Sequence, residues 1–167
     1  MTIEKIHILC TGGTFDKIYS TEIGVRNFSF PKTSAVTTIV ERLHIPNVNV
    51  TYYPPLAKDS LDMTAEDREF ISEWCAVRRR TIVVHGTDTM ISTAHEIDRH
   101  WKKCTTTILT GALQPACMQN SDAEFNLGSA ITAVQILQPG IYIVMHGQIH
   151  AWNKCRKDPI TGLFIPT

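Results

Sequence analysis

The chain has 167 residues and a mass of 18.7 kDa, the size of one domain with a complete hydrophobic core. Lysine plus arginine number 16 and aspartate plus glutamate 16, so the formal charge is zero and nothing in the balance points to nucleic acid or a membrane surface. No apolar run approaches the roughly 20 residues of a membrane span. The first residues lack a signal-peptide pattern, and the 5 scattered cysteines, without zinc-ligand spacing, predict reduced thiols in a cytoplasmic protein.

Residues 6–10 (Ile-His-Ile-Leu-Cys) form a short apolar run of buried-strand type that enters Thr11-Gly12-Gly13-Thr14. Adjacent glycines permit a tight loop that presents amides together with the hydroxyls of Thr11 and Thr14. Any sharp turn could use the same pair. The loop is not a dinucleotide or phosphate loop, because neither a third glycine at the required spacing nor Gly-Lys-Ser/Thr follows. Residues 16–31 are polar and irregular, contain Tyr19, Gly24 and Arg26, and read as a flap. A helix is predicted over 34–43 with Ser34 as its cap, then a strand over 48–53. Pro54-Pro55 breaks regularity ahead of the polar turn Lys58-Asp59-Ser60-Leu61-Asp62. Thr64 and Asp67 stand at capping-box spacing at the start of a helix over 64–77. Arg78, Arg79 and Arg80 close it, where the helix dipole favours cations. A phosphate or RNA site is the sharper reading of three arginines, and a solvated helix end the plainer one.

The next stretch organises the chain. Thr81-Ile82-Val83-Val84 reads as a strand buried on both faces, and it runs into His85-Gly86 and then Thr87-Asp88-Thr89. Gly86 lets the chain turn sharply and approach a ligand. Asp88 or Thr89 is expected to cap a helix whose apolar positions are Met90, Ile91, Ala94 and Ile97. Thr-Asp-Thr could be that cap and nothing more. The diglycine turn at the first strand argues otherwise, since paired strand-to-helix turns at the carboxyl edge of an open sheet are where ligands bind. A strand over 105–110 follows, then Gly111 to Pro115, Ser121-Asp122, a helix over 123–137 and a last strand over 141–145. The tail, 146–167, is polar and holds Lys154, Arg156, Lys157 and Asp158. Five β-units separated by helical patterns predict a single α/β domain over 1–167, a doubly wound, mostly parallel sheet of Rossmann or flavodoxin type with helices on both faces.

Several chemistries are excluded. His95 and His100 suggest a zinc-protease motif, but five residues put them about 140° apart around a helix, so they cannot share an ion. No metal or other cofactor is expected, and the serine-hydrolase elbow Gly-x-Ser-x-Gly is absent. What remains is hydroxyls, carboxylates and lysine. A threonine needs a base to take its proton. A lysine serves only where burial or other cations lower its hold on protons, and a neighbouring acid can relay them. Thr87, Asp88 and a tail lysine would form such a relay if they converge. Thr14 could then attack an acyl carbon while the glycine-turn amides hold the oxyanion.

The motifs Thr11-Gly-Gly-Thr14, Asp59-Ser-Leu-Asp-Met63, His85-Gly-Thr-Asp-Thr-Met90 and Leu109-Thr-Gly-Ala…Pro115…Ser121-Asp-Ala…Asn126-Leu127 together resemble the bacterial-type L-asparaginase/glutaminase family. Members have about twice this length, and the chain resembles their N-terminal domain alone, with no C-terminal asparaginase domain. The resemblance implies that Thr14 is the flap nucleophile and Tyr19 the tyrosine that activates it. It makes Thr87 and Asp88 the second threonine and its aspartate, which also binds the substrate ammonium. Ser60 would hold the substrate carboxylate beside Gly13, and Lys157, by gapless extension from Met145, would be the catalytic lysine, with Lys154 as the competing position. Leu61 stands where the family usually has glutamine, which removes a polar contact to the substrate amine. The expected function is hydrolysis of a small amide, asparagine or a relative, with release of ammonia through an acyl-enzyme in a homo-oligomer. A non-catalytic sensor of asparagine, aspartate or a related metabolite is the alternative.

Overall fold

The computed structural model describes residues 4–20 and 27–167. Residues Ile8 to Cys10, Ile82 to Val84, Ile108 and Leu109 have no exposed surface, as strands covered on both faces must. These runs lie in β1 (Ile6–Cys10), β5 (Arg80–Val84) and β6 (Thr106–Thr110). Between the first two come α1 (Gly13–Asp16), β2 (Ile18–Tyr19), β3 (Phe28–Ser29), α2 (Ala35–Arg42), β4 (Val48–Tyr52) and α3 (Ala65–Ala76). The second half adds α4 (Met90–His100), α5 (Ala123–Ile136), β7 (Gly140–Met145), β8 (Gln148–Ala151), β9 (Cys155–Lys157) and β10 (Phe164–Pro166). Single 3₁₀ turns occupy Pro54–Leu56, Ser60–Asp62 and Trp152–Lys154.

The main sheet has the order β4-β1-β5-β6-β7-β8, parallel except for β8 at one edge. Alternate strand residues feed two cores. Ile8, Cys10, Ile82, Val84 and Ile108 pack with α2 and α5 on one face. Leu9, Val83, Leu109, Ile143 and Met145 pack with α3 and α4 on the other. This is the doubly wound α/β domain that the alternation of elements predicts. Buried strand threonines are satisfied within the sheet, as where Thr81 Oγ1 donates to Thr107 Oγ1 (2.9 Å) and Thr110 Oγ1 to the Val144 carbonyl (2.8 Å).

Four local expectations change. The flap is not irregular throughout: Thr14 sits in the single helical turn α1, and β2 and β3 pair as a short antiparallel hairpin. Gly24 and Arg26 lie outside the described residues. The strand over 141–145 is not the last, because the polar tail adds three more. His146 (φ 54°) and Gly147 (φ 73°) are the two positive-φ residues of a tight turn that folds β8 back on β7. Thr89 is the N-cap residue of α4 but makes no side-chain cap bond, because its hydroxyl is used elsewhere. The three arginines part company. Arg78 stacks on Trp74 and donates to its carbonyl, whereas Arg79 and Arg80 pair with Glu4.

Candidate active site

The strand order reverses between β1 and β5: β4 lies beyond β1 on one side, and β6 and β7 beyond β5 on the other. The crevice outside the carboxyl ends at such a switch point is the standard ligand position in an open α/β sheet. Cys10 and Val84 are register partners, so both strands release the chain at one level. Thr11 fastens the two exits, its N–H and hydroxyl both donating to the Val84 carbonyl at 3.0 and 2.9 Å.

The turns then touch backbone to backbone. Gly13 has φ 64°, and a Cβ there would lie 2.5 Å from the Gly86 nitrogen. A Cβ at Gly86 would in turn lie 2.7 Å from Ser60 Oγ. Glycine is therefore required twice, and three turns converge: the one leading into Thr14, the one holding Thr87 and Asp88, and the one holding Ser60. Ser60 Oγ is fully buried and has no hydrogen-bond partner among the described residues. An unpartnered buried hydroxyl costs about 1–3 kcal/mol, a cost that a bound acceptor would remove. A cleft of about 580 Å³ lies beside this turn, lined by Lys17, Phe28, Asp59 and Leu61 among others; Thr14, Ser60, Thr87 and Lys157 are not part of its lining.

Lys157 completes the group. The hairpin of β9 and β10 anchors Cys155 and Phe164 in the core below α4. From there Lys157 Nζ donates to Thr87 Oγ1 at 2.8 Å and to Asp88 Oδ1 at 2.5 Å. Thr87 is 6% exposed and the Lys157 side chain 22%, while Asp88 faces solvent. Lys154, three residues earlier, is exposed. Tyr19 is 61% exposed with its ring edge-on to Phe28, and no hydrogen bond joins it to Thr14 among the described residues. The structure thus joins Thr87, Asp88 and Lys157 directly, brings Gly13 and Ser60 against the same turn, and leaves Tyr19 out on the hairpin.

Other side chains hold these turns without having been singled out from the sequence. His85 is wholly buried and its pKa is pushed down to about 4, chiefly by burial. Its Nδ1 faces the Gly86 carbonyl at 2.7 Å, so the proton sits there, and Nε2 accepts from Thr93 Oγ1 at 2.8 Å. Arg68 Nη2 and Thr89 Oγ1 both donate to the Ser60 carbonyl, at 3.3 and 2.8 Å, tying the Ser60 turn to the Thr87 turn. Asn126 bridges the Gly111 carbonyl and the His146 N–H, locking the turns after β6 and β7 together. His95 packs on Trp152 and His100 lies beside Ser72, so the two histidines serve different neighbours.

The family model described as Asparaginase, N-terminal matches residues 5–162. The chain belongs to the asparaginase N-terminal family. Its sequence relatives include a subunit of the glutamyl-tRNA(Gln) amidotransferase of Methanococcus vannielii, 29% identical over 88% of this chain and 35% of the relative. The corresponding subunit from Aeropyrum pernix is 28% identical over 87% of the chain and 35% of the relative. Among solved structures, L-asparaginase I from Vibrio cholerae superposes with a TM-score of 0.80 at 24% identity, covering 98% of this chain and 51% of that one. The L-asparaginase of Thermococcus kodakarensis gives 0.77 at 23% identity, covering 97% and 51%. This asparaginase-family domain therefore spans about half the length of the solved enzymes and about a third of those two amidotransferase relatives. Among its described residues no helix is long and apolar enough to cross a membrane.

Proposed function

We propose that this domain hydrolyses a small amide, asparagine or a related compound, using Thr14 as nucleophile. The observation that carries the reading is the Lys157 ammonium within hydrogen-bond reach of both Thr87 Oγ1 and Asp88 Oδ1. A pocket that only bound its ligand would have no use for such a relay. In the proposed course Thr14 Oγ attacks the amide carbon while glycine-turn amides stabilise the oxyanion. Tyr19 swings in with the flap to relay the hydroxyl proton, its phenol handing one proton on toward the amide nitrogen as it takes the other. Collapse of the adduct passes a proton to the amide nitrogen, releases ammonia and leaves an acyl-threonine. The Lys157 ammonium first passes a proton to the Asp88 carboxylate. Water then attacks the ester, its proton passing through Thr87 to the freed Lys157 amine, and the proton on Asp88 returns through solvent to the Thr14 oxygen as the acyl bond breaks. Ser60 Oγ serves the substrate carboxylate. Leu61, exposed beside it, leaves the substrate amine without a polar partner at that position, which favours amides other than free asparagine.

An ammonia-release screen over asparagine, glutamine and varied amides tests this; glutamine belongs in it because of the relatives named as amidotransferase subunits. Turnover lost in Thr14→Ala supports the reading. No turnover of any amide, with calorimetric binding of asparagine or aspartate, replaces it with the sensor reading. We further propose a homo-oligomer, most simply a two-fold dimer, since a partner would cover the open carboxyl-edge cleft. Light scattering should show more than one copy at micromolar concentration; a monomer with full activity ends that idea.

A further inference from the structure

We infer that Lys17 and Asp59 form a positioning pair that fixes the nucleophile turn against the Ser60 turn, and so controls turnover through Thr14. The inference rests on the role proposed for Thr14. Lys17 follows α1 directly, and its N–H donates to the Thr14 carbonyl at 3.3 Å. Its ammonium crosses to Asp59 Oδ2 at 2.6 Å. The other oxygen of Asp59 accepts from the Leu61 N–H at 3.1 Å, so the same carboxylate starts the 3₁₀ turn that carries Ser60. The Lys17 hydrogen bond is also the main reason the Asp59 carboxyl is held below its ordinary range.

The geometry is a two-point attachment. The N-terminal end of α1 is tied by the Gly13 N–H to the Lys58 carbonyl at 3.0 Å, and the C-terminal end by Lys17 to Asp59. One bond would let the turn pivot; two hold Thr14 at a fixed height above the Ser60 turn. Lys58 is itself pinned by its ion pair with Asp67 in the capping box of α3 at 2.8 Å, so the receiving side is anchored. The flap hairpin starts at Ile18, immediately beyond the pair. The pair is about a quarter exposed on each side, so solvent screens its contribution to global stability, and its effect is on alignment. Misplacing a reacting group by about 1 Å can cost on the order of 100-fold in rate.

The test uses Lys17→Met, Asp59→Asn, the double variant and Lys17→Arg. Asparagine keeps an oxygen for the Leu61 N–H, so Asp59→Asn removes the charge without removing the cap. Each of the first two should lower kcat about tenfold or more with KM within about threefold, the double variant should be no worse than either single, and Lys17→Arg should recover most of the rate. Amide hydrogen exchange supplies a readout free of activity: protection across 15–20 should fall in both single variants while that of β5 stays unchanged. An unchanged kcat, losses that multiply, or unchanged protection across 15–20 overturns the pair. If the parent chain turns over no amide, the proposed function fails, and the exchange result alone decides whether Lys17 and Asp59 hold the turn.

Discussion

Lys154 and Lys157 are three residues apart and end in different surroundings. Lys154 closes a 3₁₀ turn at the surface, whereas Lys157 alternates inward on β9 and reaches Thr87 and Asp88. Lys157→Met keeps the length of the stem and removes the amine, so the protein should fold and turnover should be nearly lost. Lys154→Met should change kcat/KM by less than about tenfold, roughly 1.4 kcal/mol of transition-state stabilisation. Circular dichroism on both variants, followed by assay on the amide found in the screen, checks this. An active Lys157→Met variant removes the relay from the mechanism. The threonines are expected to behave as one unit. Thr14→Ala and Thr87→Ala should each cost several orders of magnitude in kcat, and the double variant should lose little more. Multiplying losses would mean that the two act independently.

Elements whose cause is local were readable in the sequence, and elements whose cause lies elsewhere in the fold were not. β1 and β5 each end in an apolar triplet, Ile8–Cys10 and Ile82–Val84, that runs into a glycine turn, and burial on both faces follows from that. The capping box of α3 is complete as spaced, with Asp67 N–H on Thr64 Oγ1 at 3.2 Å and Thr64 N–H on Asp67 Oδ2 at 2.8 Å. Ser34 caps α2 through the Val36 N–H, yet it also donates to Asp16 Oδ1, a partner 18 positions away that no spacing rule announces. Thr89 shows the same competition with the opposite result: the Ser60 carbonyl and Arg68 take its hydroxyl, and α4 begins without a side-chain cap. The tail strands did not stand out because β9 and β10 are three residues each, with one buried side chain apiece, too short for their alternation to register. At the site, Gly13, Ser60, Thr87, Asp88 and Lys157 came from paired turns and family resemblance. Lys17, Arg68 and His85 needed coordinates, because their partners are set by tertiary contact alone.

At the scale of the whole molecule, the two cores of the sheet meet at the carboxyl edge, where the central turn of the candidate site rests on a histidine with no solvent contact. Burial holds His85 neutral, with a folded-state pKa of about 4 against an ordinary value of 6.5. In the unfolded chain it takes up a proton as pH drops through about 6.5, and in the folded chain only near 4. The unfolded state therefore binds more protons across that window, and stability should fall as pH falls from about 6.5 to about 4, by about 3 kcal/mol in all from this residue. His7, also shifted down, adds to the same slope. Asp16 opposes it: burial raises its pKa, so the folded chain gains a proton there first and is relatively favoured on acidification. The parent's net slope mixes these groups, so the decisive measurement is a difference. Urea unfolding of the parent and of His85→Gln should be followed from pH 7.5 to 4.5; glutamine can still donate to the Gly86 carbonyl and accept from Thr93. The variant should be less stable at pH 7.5 through poorer packing, and the gap should narrow steadily on acidification as the parent loses what His85 contributed. A gap independent of pH would mean that the His85 ring is protonated in the fold as readily as in water, and the tautomer assigned to it would fall with that result.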